Sequence, residues 1–500
     1  MNSKTLQMLA AAATFTLAGC GADSNPVASV PVVPPPPVTP PPMTSPALQG
    51  ICVNPDPTAP FPGERQGTVE DEKKWVRAYI DDTYLWYNEV PATLKAADYQ
   101  TPVDYFNVLK SPAVTASGRL RDRFHFTYPT ATWDAISSAG ASLGYGLTLV
   151  RTIDAGQPRV WAVIMVEPGT PADLAGVRRG DVLLAVDGAP VADFGNGATA
   201  ARINAGLSPT REGEVHQLVL QRGGDNGAGV AVALAAQKVS YAPVQHARVI
   251  DTPNGKVGYL MFRDHNGVAE SQLVRTMAGF RDARVSDLVL DMRYNGGGLL
   301  SIASELAYMV AGPAATGGKV FEQSRYNDKT KPQPPQMFAT TAIGYAAPEP
   351  VKSGSPLPYL GLKRVTILTT QNTCSASESV INSLRGVDVE VSLIGGTTCG
   401  KPYAFSPAPN CGTTYFAIQF QGVNNKGWGD YADGFQPTCE AADDLSRELG
   451  DARESLLATA LNYRADGVCP AQPLQRRAMA GAMQVIRPPV QEISIDDRRK

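Results

Sequence analysis

Apolar, β-rich runs that end in glycine or small polar residues recur along the C-terminal half of this chain of 500 residues. Residues 288–290 lead through Asp291, Met292, Arg293, Tyr294 and Asn295 into Gly296, Gly297 and Gly298. Residues 365–368 lead into Asn372, Thr373, Cys374 and Ser375, and residues 389–394 lead into Gly395, Gly396, Thr397, Thr398, Cys399, Gly400 and Lys401. Short apolar runs bounded by such turns predict buried strands, and the helix-spaced stretches 303–310 and 376–384 that follow the first two predict helices.

Other patterns extend the layout. Trp75, Val76, Tyr79, Ile80, Tyr84 and Leu85 recur at helical spacing, so residues 66–135 are expected to form a small helical N-terminal domain beside the core. Residues 320–360, rich in Pro, Gly, Ala and Thr, interrupt the core and are expected as a flap over the site. Residues 403–405 and 413–420 predict a hairpin. After Cys469 the tail, residues 470–500, has too little periodicity to assign.

The three turns carry the candidate chemistry. Ser375 would stand at the start of a helix, where the first-turn amides have no intrahelical acceptor. Serine is a poor nucleophile near neutral pH, and a lysine such as Lys401 can take its proton when burial keeps it neutral. Three glycines in a row remove every Cβ from their turn and let backbone amides converge on an oxygen, as a tetrahedral intermediate requires. Each feature has a plainer reading. Ser375-x-x-Glu378 is also a capping box, and a glycine run is also a tight turn. Neither phosphate-binding glycine signature is present. The coincidence of three such junctions favours an acyl-transfer site.

Asp291 to Gly298, Ser375-Ala376-Ser377-Glu378 and Gly395-x-Thr397-x-x-Gly400-Lys401 together resemble the carboxyl-terminal processing peptidases, or tail-specific proteases. The resemblance implies a crotonase-like α/β core with Ser375 as nucleophile and Lys401 as general base. It also implies oxyanion donors at Ala376 and at the turn of Gly296, Gly297 and Gly298. The 26 residues from Ser375 to Lys401 are close to the spacing in that family. Two positions depart from it: Phe405 stands where the family has a glutamine orienting the lysine, and Pro402 replaces a glycine. A second segment, from Leu143-Gly144-Tyr145-Gly146-Leu147 through Glu167-Pro168-Gly169-Thr170-Pro171-Ala172 to Asp187-Gly188, resembles a PDZ domain, expected over residues 142–240. Gly144, Tyr145, Gly146 and Leu147 can present amides to a peptide's terminal carboxylate while the adjoining strand edge pairs with the peptide backbone. The peptidase core is then expected over residues 245–465.

The N-terminus bears on location. Residues 1–20 carry one early charge, Lys4, then an apolar run too short to span a bilayer, which reads as a signal peptide. Leu17-Ala18-Gly19-Cys20 resembles a bacterial lipobox, which implies lipidation of Cys20. Residues 21–50, dominated by Pro, Val, Ser and Thr, are expected to form a stiff extended tether. These features predict a protein of the bacterial cell envelope, anchored to a membrane by lipid and facing the periplasm, with the outer membrane preferred to the inner.

Composition adds exclusions. A formal charge of −3 without a long basic run argues against nucleic acid as a partner. With Cys20 lipidated, six of the seven cysteines remain, an even number suited to disulfides in an oxidising compartment. Flanking the predicted hairpin, Cys399 and Cys411 are the favoured pair. No C-x-x-C spacing is present and the four histidines are scattered, so neither metal nor cofactor is expected. The reading is a serine endopeptidase that cleaves polypeptides with free C-termini. The rivals are a non-catalytic PDZ-containing peptide-binding scaffold lipoprotein, suggested by Phe405, and a small-molecule esterase or amidase, which the PDZ segment disfavours.

Overall fold

The computed structural model describes residues 44–56, 63–139, 141–152, 160–223, 229–471, 483–486 and 494–495. The predicted signal peptide, Cys20 and nearly all of the tether lie outside the described residues. Among those described, no helix is long and apolar enough to cross a membrane.

Helices α1 (Val69–Thr83) and α2 (Pro102–Val108) form the N-terminal domain. Thr68 and Asp71 cap α1 reciprocally, satisfying two amides that the helix start leaves open. The apolar face read from the sequence is buried: Trp75, Val76, Tyr79, Ile80 and Tyr84 pack with Tyr403, Tyr415 and Ile418 of the core. A strand at Phe126–Pro129 then pairs with Thr413–Phe416, fastening the end of this domain to the core.

The PDZ sheet contains β1 (Leu147–Thr152), β2 (Trp161–Val166), β3 (Val182–Val186), β4 (Val215–Gln221) and β5 (Val230–Ala235), with α3 (Gly197–Leu207) across it. The catalytic-type core is a second sheet, built from β6 (Val244–Thr252), β7 (Gly255–Phe262), β8 (Asp287–Asp291), β9 (Arg364–Thr369), β10 (Glu390–Gly395) and β11 (Cys439–Glu440) in that order. From β7 to β11 every pairing is parallel. Parallel neighbours need crossovers, supplied in part by α4 (Val268–Asp282), α5 (Leu300–Thr316) and α6 (Ala376–Gly386). Burial on both faces explains the near-continuous apolar character of β8 and β9. The chain is therefore α/β, with a PDZ domain and a helical N-terminal domain.

A last helix, α7 (Ser455–Asp466), packs on the other face of the core sheet. The tail returns as β12 (Met483–Ile486), which joins the PDZ sheet beside β1.

Two expectations change. Residues 320–360 are anchored to the core, although most of 328–356 is exposed or half-buried: Phe338, Ala342 and Leu357 are buried in its main apolar cluster. Glu270 of α4 accepts hydrogen bonds from the amides of Ile343, Gly344 and Tyr345, which fixes the segment. The favoured Cys399–Cys411 bridge does not form. Disulfides join Cys52 to Cys411, Cys374 to Cys399 and Cys439 to Cys469. Local hairpin pairing misled the expectation because Thr413–Phe416 pairs with Ala408–Asn410. That arrangement carries Cys411 to the N-terminal segment, where Asn410 Oδ1 accepts from Gly50 N–H.

Candidate active site

The C-terminal ends of β8, β9 and β10 deliver the three predicted junctions to one place, the expected position for a site in a parallel sheet. Ser375 precedes α6 with φ 62° and ψ −116°, a conformation that non-glycine residues rarely adopt. The loop before it is tied to the glycine turn. Cys374 N–H donates to Asn295 O at 3.0 Å, Ser377 Oγ donates to the same carbonyl at 3.2 Å, and Thr373 Oγ1 donates to Met292 O at 2.9 Å.

Glu378, one turn into α6, connects the serine loop to the lysine loop. Its Oε2 accepts from Ser375 N–H at 2.9 Å and from Lys401 N–H at 2.8 Å. Its Oε1 accepts from Gly400 N–H at 2.9 Å and from Thr398 Oγ1 at 2.6 Å. Burial raises its pKa above the ordinary carboxylate value, while these donors oppose that shift. The capping interaction and the site reading thus describe one arrangement, since the carboxylate that caps α6 also grips the Lys401 backbone. Gly400 has φ +84° and a Cβ there would lie 2.4 Å from Ala432 O, so only glycine fits.

Ser375 and Lys401 are both buried, at 0 % and 1 % exposure. Lys401 Nζ lies 4.5 Å from the ring centre of Phe405 and 4.8 Å from that of Phe124. Phe405, in place of the family glutamine, therefore contacts the lysine as an aromatic wall. Phe124 comes from the end of the N-terminal domain, and its neighbour Arg123 donates to Cys399 O at 2.6 Å and to Gly400 O at 3.2 Å. Nothing in the sequence pattern pointed to Arg123 or Phe124, because their role depends on a contact some 280 residues away. The Cys374–Cys399 bridge also spans the two loops, joining the residue before Ser375 to the residue two before Lys401. Oxidised sulfur offers no thiolate, so the closeness of this pair to Glu378 does not make a metal site.

The glycine turn is more differentiated than its sequence suggests. Gly297 N–H donates to Asn295 Oδ1 at 3.0 Å, which removes Gly297 from the expected oxyanion donors: its amide is spent on shaping the turn. Gly298, at φ +134°, lies so close to His265 that a Cβ would be 2.7 Å from the His265 carbonyl oxygen. His265 Nδ1 contacts two acceptors, Asn295 Oδ1 at 3.1 Å and Gly297 O at 3.2 Å, so the proton of the neutral ring resides on Nδ1. Burial depresses its pKa to about 3, keeping it neutral. Ala376 is the first residue of α6, where helix geometry leaves amides without intrahelical acceptors.

Behind the turn, Arg293 is fully buried among Asp291, Glu454 and Asp443, at 2.8, 2.9 and 2.8 Å. Arg179 of the PDZ domain donates to Asp443 at 2.7 Å and to Tyr294 Oη at 2.9 Å, which couples that domain to the turn. In the PDZ loop, the carbonyls of Tyr145 and Gly146 accept from Ala172 N–H and Glu167 N–H, and Tyr145 Oη donates to Gly206 O of α3. Gly144 pairs with Gln237, and Leu147 begins β1.

The profile of peptidase family S41 matches residues 256–440, that of the peptidase S41 N-terminal domain matches 71–126, and a PDZ profile matches 163–211. Residues 256–440 thus carry a peptidase S41 domain, preceded by its N-terminal domain and a PDZ domain. Carboxyl-terminal-processing peptidase 2, chloroplastic, of Arabidopsis thaliana is 28% identical over 247 residues, covering 46% of this chain and 44% of the relative. The carboxyl-terminal-processing protease of a Picosynechococcus strain is 26% identical over 267 residues, covering 53% and 56%. The matched region thus spans about half the length of these relatives. A crystal structure from Bacteroides fragilis assigned to the S41 proteases superposes with a TM-score of 0.59 at 26% identity, covering 79% of this chain and 97% of that one.

Proposed function

We propose that this protein is a serine endopeptidase of the tail-specific type, with Ser375 as nucleophile and Lys401 as general base. The observation that carries the reading is the Glu378 carboxylate, which holds the backbones of both residues at 2.9 and 2.8 Å. Ser375 Oγ attacks the scissile carbonyl as its proton passes to Lys401 Nζ. The oxyanion then draws on Ala376 N–H and the remaining glycine-turn amides at Gly296 and Gly298. Collapse expels the amine, which takes the proton from Lys401, and water attacking by the same route releases the acid and frees the serine.

In this reading the PDZ loop at residues 144–147 receives a polypeptide with a free C-terminus. Lipidation at Cys20 would place the enzyme on a bacterial envelope membrane, facing the periplasm. Incubating the purified protein with an unfolded polypeptide such as reduced casein, beside its Ser375→Ala form, tests the proposal. Fragments that appear only with the unaltered serine support it, and identical behaviour of the two proteins overturns it in favour of a peptide-binding scaffold, the reading that Phe405 suggests.

A further inference from the structure

The tail that the sequence pattern left unassigned lies where a peptide ligand would. Strand β1 follows the loop of residues 144–147, and its outer edge is the strand-addition edge by which a PDZ domain takes a peptide. In this structure β12 fills that edge. It pairs antiparallel with β1, with Met483 opposite Thr152, Gln484 opposite Arg151, Val485 opposite Val150 and Ile486 opposite Leu149. The chain therefore runs toward the glycine-containing loop, the direction in which an extended peptide would approach it.

Three further contacts show that the strand is seated. Val485 is buried, packing with Val150 and Ile164 of the PDZ sheet and with Met261 and Tyr294 of the core. Ile486 packs against the PDZ core. Asn372, three residues before Ser375, clamps the other edge of the strand: its Nδ2 donates to Met483 O at 3.0 Å and its Oδ1 accepts from Val485 N–H at 2.8 Å. Because main-chain groups alternate along a strand, those of Gln484 and Ile486 face β1. Farther on, Ser494–Ile495 pairs in parallel register with Gly298–Leu299, at the glycine turn itself.

We propose that this tail is a built-in peptide ligand, occupying both the PDZ edge and the strand position at Gly298–Leu299, so that an incoming polypeptide binds only after displacing it. The ligand class follows from the contacts. Main-chain pairing at each place accepts any extended peptide, and the buried Val485 position calls for a β-branched or similar apolar side chain. The tail enters β1 as an internal segment, so the edge binds without a terminal carboxylate. This inference rests on the reading of β1 as the peptide edge and is independent of catalysis.

The test uses the full chain in a Ser375→Ala background and a fluorescent synthetic peptide with the sequence of residues 480–496. Gln484→Pro removes a main-chain donor from the β1 ladder, and Val485→Asp places a charge in the apolar seat. Each is expected to raise the affinity for the peptide by at least about tenfold, because the competent, tail-free fraction rises toward unity. In the protein with an unaltered tail, excess peptide is expected to accelerate deuterium exchange at residues 483–486. Equal affinities across the three proteins, no binding to either tail variant, or exchange unmoved by excess peptide would each overturn the proposal. The exchange arm needs no tail substitution and stands even if a variant misfolds. Peptide binding as expected, together with no casein cleavage by the same tail variants carrying an intact Ser375, would sink the peptidase reading while leaving this one intact.

Discussion

The backbone amides of Ser375 and Lys401 donate to the same oxygen, Glu378 Oε2, at 2.9 and 2.8 Å. A single buried carboxylate thereby sets the spacing between two loops that follow different strands. In this chain it acts alongside the Cys374–Cys399 bridge and the Phe405 ring.

Replacing that carboxylate is expected to loosen both loops together. Glu378→Gln keeps the shape but swaps an acceptor for an NH2 group facing amide or hydroxyl donors. Leaving buried donors unpaired costs roughly 1–3 kcal/mol of stability. The rate of casein hydrolysis is expected to fall about a hundredfold or more, since a small displacement of either group is costly. Hydrolysis rates and thermal melts check this; a rate within a few fold of the unaltered protein would show that the clamp is not needed.

Ser375→Ala and Lys401→Ala are each expected to abolish proteolysis while leaving a cooperative melt. Retained activity in Lys401→Ala alone would move the base to a histidine. His265, beside the glycine turn, would be the first to test, ahead of His125, His216 and His246.

Cys374 and Cys399 are expected to escape alkylation when the protein is unfolded without reduction, as read by mass spectrometry. Replacing both by serine should remove about 2–4 kcal/mol of stability, as loss of a bridge of this loop length does. It should also lower kcat more than it changes KM, because the bridge joins the loops of Ser375 and Lys401 and not strand β1.

Below pH 6.5 the unfolded chain protonates His265 while the folded chain, with a pKa of about 3, does not. The folded value is depressed, so stability is full above pH 6.5 and falls as pH drops toward 3. The expected slope from this group is about 1.4 kcal/mol per pH unit. His265→Phe should flatten that slope in denaturant melts at pH 5 and pH 7, and an unchanged slope would reject the assignment.

The chain's local order was legible from sequence wherever chemistry is local. Apolar runs marked β8, β9 and β10, glycines marked turns that permit no Cβ, and Ser375-x-x-Glu378 marked the start of α6, because strand burial, backbone freedom and helix capping each act within a few residues. The seven cysteines and the export-like N-terminus pointed to disulfides for the same reason, compositionally. Which cysteines pair was settled only by the folded chain, since Cys411 meets Cys52 across 359 residues and no periodicity encodes that approach. The loss of Gly297 as an oxyanion donor was likewise invisible, because its amide is claimed by a side-chain rotamer of Asn295. Arg123 and Phe124 reach the Lys401 loop from another domain, and the aperiodic tail acquires a strand only by borrowing the edge of β1. A strand without its own alternation is defined by the partner that satisfies its amides, and that partner exists only in the tertiary structure.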